Sequence, residues 1–126
     1  MIYSHEHQDK REENTKLFHQ MAQKAVDTDP ENPDAMSSLS MSYSIKKDLN
    51  KRLETAEKAL ELNPSHPRSN FSYGQALTNF GRNEEALYYV NKAIELDPQS
   101  KRNYEGFFPL LYLSLIHISE PTRHDQ

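Results

Sequence analysis

The chain has no cysteine and no tryptophan, and only three glycines among its 126 residues. Without thiols it can build neither a disulfide framework nor a zinc ribbon, so packed apolar surface must hold it together. Few glycines beside long stretches of Ala, Leu, Glu and Lys argue against strands and hairpins and for an all-helical fold. Cations are also in deficit. With 15 Lys and Arg against 19 Asp and Glu, the net charge of −4 offers no cationic face to displace counterions, and a nucleic-acid partner is not expected. No apolar run reaches the roughly 18 to 20 residues of a membrane span, and the polar start, Met1 to His7, lacks the apolar stretch of a signal peptide. The expectation is a soluble, cytoplasmic segment.

What the chain does have is a period. Pro30, Pro64 and Pro98 lie 34 residues apart, preceded by Asp29, Asn63 and Asp97 and following Ala25, Ala59 and Ala93 by five positions. Val26, Leu60 and Ile94 add a further column. Such self-similarity marks a repeat architecture. Within each period Asn32, His66 and Ser100 stand immediately before a residue suited to a helix first turn, Pro33, Pro67 and Lys101. The pattern predicts helices over Pro33 to about Ile45, Asn50 to Leu62 and Pro67 to Phe80, the last stopped by Gly81. A further helix is capped by Asn83, striped by Ala86, Leu87, Val90, Ala93 and Ile94, and ended by Asp97 and Pro98. Upstream, Glu12 to Asp27 reads as one more second-type helix, after a flexible terminus over residues 1–11.

These residues resemble the tetratricopeptide repeat, a 34-residue helix-turn-helix unit. Its pattern is best matched by Tyr73, Gly74, Leu77, Ala86, Val90, Ala93 and Pro98, and in the earlier copy by Leu39, Tyr43, Ala59 and Pro64. Ser40 stands at the small position and Arg52 where alanine is usual, which questions how closely that pair of helices packs. The resemblance implies a right-handed superhelical solenoid over residues 12–112, with units at about 33–66 and 67–100 and partial units on either side. It further implies a groove, lined by first helices, that holds a peptide or helix of a protein partner. Carried over, its positions are Asp34, Ser37, Met41 and Ser44 in one copy and Arg68, Phe71, Gln75 and Thr78 in the other. The basic, asparagine-containing clamp that some members use for C-terminal carboxylates is not matched, since Ser37 and Met41 stand at those positions.

Helices of a dozen residues are marginal alone, and one repeat cannot bury its apolar face, so two complete copies suggest a piece of a longer array. The wording of the copies also resembles arrays that follow class III nucleotide cyclase domains or winged-helix regulators. A regulatory region of a larger bacterial protein is therefore the alternative to a free-standing scaffold. Self-association through open repeat ends is a third expectation. A third copy begins with Tyr104, Phe107, Phe108 and Leu111, but residues 113–123 resemble a translated sequencing-library adaptor, so 113–126 reads as a non-native tail. The apolar run from Phe107 to Ile118 is expected to be an exposed, sticky end.

Chemistry is sparse. No glycine-rich phosphate loop or nucleophile elbow is present, and neither an enzyme nor a cofactor is expected. His5, Glu6 and His7 could hold a divalent ion, but nothing on a polar terminus fixes their geometry. His19 and His66 read as structural, Glu84 and Glu85 as first-turn charges, and Tyr73, Tyr88, Tyr89, Phe71 and Phe80 mostly as seam residues.

Overall fold

The computed structural model of the chain describes residues 2–109 and 111, with side chains from residue 6. The order is α1 (Ile2–Thr28), α2 (Pro33–Ile45), α3 (Leu49–Leu62), α4 (Pro67–Thr78), α5 (Asn83–Leu96), a 3-10 turn (Pro98–Ser100) and α6 (Lys101–Glu105). Among the described residues there is no strand, and each helix packs on the next in successive antiparallel pairs, with α2 also touching α4. No helix among them is long and apolar enough to cross a membrane.

The helix starts follow the local chemistry. Asn32 Oδ1 accepts from the amides of Asp34 and Ala35, and His66 Nδ1 from that of Ser69, with proline opening each helix where no amide is needed. Asp48 caps α3 through the Lys51 amide. Two expected caps differ. Ser100 makes no side-chain cap, and Asn83 is the first residue of α5 rather than its cap, which is Arg82 without a side-chain bond. The helix there is held instead by Glu84 and Glu85 in the first turn.

The helix ends repeat one device. After α2 the Lys47 amide donates to Ser44 O at 3.0 Å and the Asp48 amide to Tyr43 O at 2.9 Å. After α4 the Gly81 amide donates to Thr78 O and the Arg82 amide to Leu77 O, both at 3.2 Å. Both are six-to-one and five-to-two closures around a left-handed residue, with φ of 63° at Lys47 and 73° at Gly81.

Apolar faces then close the stack. Ala56, Tyr73, Ala76, Leu77, Ala86, Val90, Ala93, Tyr104 and Leu111 form one buried cluster across α3, α4, α5 and the segment that follows. Ala59 and Ala93 are both 0% exposed, as two members of one repeat column should be, but Ala25 is exposed. The cause is the missing neighbour: α1 packs on α2 through Ala22 and His19, while Leu17 and Met21 are left outward.

Two expectations are corrected here. The first helix begins at Ile2, not Glu12, so residues 2–11 are helical rather than a loose terminus. Nothing in them breaks a helix, and Glu6 with Lys10 and Glu12 with Lys16 are favourably ordered four-residue pairs. The apolar run from Phe107 is not wholly exposed either. Leu111 is buried and Phe107 and Phe108 pack against the core, because they occupy the next first-helix slot. The rest of that run and the adaptor-like stretch 113–123 lie outside the described residues.

Candidate partner-binding surface

The first-type helices α2 and α4 stand side by side, so residues 34 apart lie at matching heights. The register is fixed where each pairs with its second helix. A β-carbon on Gly74 would lie 3.0 Å from the carbonyl oxygen of Ala86 and 3.0 Å from Val90 Cγ2, which leaves room only for glycine. In the earlier copy Ser40 Oγ donates to the carbonyl oxygen of Arg52 at 2.8 Å, so this pair is close too. The serine fits because Ala56 stands where the later copy has Val90. Arg52 turns its side chain away and donates from Nη1 to Asn79 Oδ1 at 2.9 Å, with burial pulling its pKa down.

Of the eight groove positions, the α2–α4 seam takes some and leaves others. Ser37 is 1% exposed, its Oγ 3.4 Å from Ser69 Oγ, so it cannot reach a partner while the seam is closed. Phe71 is half-buried, its ring 4.7 Å from Tyr104 and 5.9 Å from Phe107, so it serves the next seam. Asp34 and Arg68 face each other, with Arg68 Nη1 at 3.6 Å and His66 Nε2 at 3.2 Å from Asp34 Oδ1. Arg68 Nη2 also donates to Ser38 Oγ at 3.1 Å. Met41 is exposed, Ser44 and Gln75 half-buried, and Thr78 is half-buried with its hydroxyl donating to Gln75 O.

The remaining chemistry is structural. His66 Nδ1 accepts from the Ser69 amide, so the proton sits on Nε2, facing Asp34. Ser42 Oγ donates to Leu39 O at 2.7 Å, leaving His19 Nδ1 to donate to Ser42 Oγ at 2.8 Å, with the ring tilted on Tyr43. Burial, then the charges of Lys46 and Lys51, hold the His19 pKa below its ordinary value. Glu85 pairs with Arg82 at 2.7 Å, and the hydrogen bond from that guanidinium lowers its carboxyl. Tyr73 is buried edge-on to Tyr89, whereas Tyr88 and Phe80 are exposed. Among the described residues no three His, Asp or Glu side chains converge as metal ligands, and the His5 side chain of the terminal cluster lies outside them.

Sequence reasoning did not single out Asn70. It is 0% exposed and donates from Nδ2 to the carbonyl oxygens of Pro64 and His66, tying the loop before α4 to that helix, while its Oδ1 has no partner. Asn70 lies outside the proline and alanine columns that carry the 34-residue period, so no periodic signal marked it.

Two models described as tetratricopeptide repeat match the chain, one over residues 33–66 and one over residues 55–88. The first spans α2, α3 and the loop after them; the second runs from within α3 through α4 into α5. A search of the curated proteins finds no match.

Proposed function

Residues 33–88 of this chain are tetratricopeptide repeats, and from that premise we propose that it is a non-catalytic scaffold that holds a peptide or helix of another protein along α2 and α4. Repeats of this kind are generally protein-protein interaction modules. The observation that carries the reading is the matched pair of rows on two adjacent first-type helices. Met41 and Ser44 stand on one and Gln75 and Thr78 on the other, with the Asp34–Arg68 pair at one end. An exposed, adaptable thioether among hydroxyl and amide groups suits a partner held by one apolar anchor and several hydrogen bonds. Ser37 and Phe71 support the surface from the seams behind it.

The test is site-specific photocrosslinking in cells. A benzophenone amino acid at position 41 should trap a discrete protein adduct, and one at position 57, on the exposed side of α3, should not. Equal trapping at both positions would remove the α2–α4 face from consideration.

A further inference from the structure

A second surface lies away from those rows, where α1 runs on past the end of α2. α1 has 27 residues and α2 has 13, so the first half of α1 overhangs the turn into α3 and walls a groove of about 1150 Å³. Arg11 and Lys16 line it from α1, Lys46 and Lys47 from the turn, Glu12 is its one carboxylate, and Ile45 supplies an exposed apolar floor. Four cations against one anion oppose the −4 bias of the whole chain. All four are exposed, and among the described residues none is in an ion pair. At the end of α2 the Ser44 and Tyr43 carbonyls are closed by the Lys47 and Asp48 amides, and the Asp48 carboxylate is turned to the Lys51 amide of α3.

The second observation is strain. Lys47 holds a left-handed φ of 63° at the place where the next repeat uses Gly81. A residue with a side chain loses stability there, so the turn carries a lysine at a position that glycine fills more readily.

We propose that this corner is a docking site for an acidic, extended peptide segment, whose carboxylates meet Arg11, Lys16, Lys46 and Lys47 while one apolar side chain rests on Ile45. The charge of the lining selects the partner, and the width of an open groove suits a strand of peptide rather than a small anion. The site is independent of the α2–α4 face, so either can fail without the other.

The experiment is fluorescence anisotropy with the full chain and a labelled, glutamate-rich peptide carrying one leucine. A glutamine-for-glutamate peptide, a phosphoserine peptide without other acids, and phosphatidylserine vesicles serve as rival probes. The glutamate peptide should bind, more weakly as salt rises, and Lys46→Glu/Lys47→Glu should weaken it roughly tenfold. Lys58→Glu/Lys101→Glu, which changes total charge equally on other surfaces, should bind as the unaltered chain does. Lys47→Gly is the decisive variant: it should melt at a higher temperature yet bind the peptide several-fold more weakly. The proposal is overturned if the glutamate peptide does not bind, if it binds equally with and without the charge reversal, if Lys47→Gly keeps full affinity, or if only the phosphopeptide or the vesicles are captured.

Discussion

Ser40 Oγ donates to the carbonyl oxygen of Arg52, and 34 residues later Gly74 lies so close to the carbonyl oxygen of Ala86 that a β-carbon would come within 3.0 Å of it. The two helix pairs thus reach the same closeness by different means. One spends a hydroxyl on the facing carbonyl, and the other omits the side chain because Val90 fills the space that Ala56 leaves free.

Transplanting one solution into the other copy tests this account. Gly74→Ser should cost about 1–3 kcal/mol in urea unfolding, since the new β-carbon meets a backbone oxygen and Val90 Cγ2 together. Adding Val90→Ala should recover part of that loss, giving a favourable coupling in the double-mutant cycle. Purely additive costs would show that the two residues do not share the space.

The two left-handed turn residues make a second pair. Lys47→Gly should stabilise the chain by about 1 kcal/mol and Gly81→Ala destabilise it by a similar amount, the unfolded-state freedom of glycine offsetting part of each effect. A β-carbon at Gly81 meets nothing within 4 Å, so any loss there is conformational and not steric. Thermal melts of both variants read the signs directly.

His19 gives a pH dependence whose sign follows from its surroundings. Its folded pKa lies below the ordinary 6.5, because burial and then Lys46 and Lys51 disfavour the imidazolium, so the unfolded chain takes up the proton more readily. The stabilisation is complete above 6.5 and is lost as the pH falls from there through the folded value. Melting curves between about pH 7.5 and pH 5 should therefore show a larger fall for the unaltered chain than for His19→Gln, which keeps a donor for Ser42 without the titration. Parallel curves would contradict it.

Enlarging the alanine column separates covered helices from the uncovered one. Ala93→Leu should cost about 1–3 kcal/mol because the site is fully buried. Ala25→Leu should fall within about 0.5 kcal/mol of the parent, because its side chain faces outward. Chemical denaturation of the two variants side by side would expose a misassigned α1 packing.

Where local chemistry repeats, the sequence was readable almost to the residue. The α2 and α4 starts, the Leu62 and Asp97 ends and the Gly81 stop all rest on proline, glycine and capping groups whose effect is confined to one turn. The extent of α1 was not readable, because an exposed helix held by alternating charges has no apolar stripe to announce it. Ala25 looked like Ala59 in the chain and differs only in having no preceding helix against it. The groove positions came from the resemblance to the repeat family, and how far Ser37 and Phe71 sink into the seams was not readable because it depends on how neighbouring repeats pack.

Because α1 is gripped from one side only, its release costs fewer contacts than that of α2, α3, α4 or α5, and its amide protons should trade with solvent sooner than those of α4 or α5. Any molecule that bridges the overhang to the turn after α2 then works as a splint, and its occupancy would be legible as deuterium retained along α1 with no other part of the chain changed.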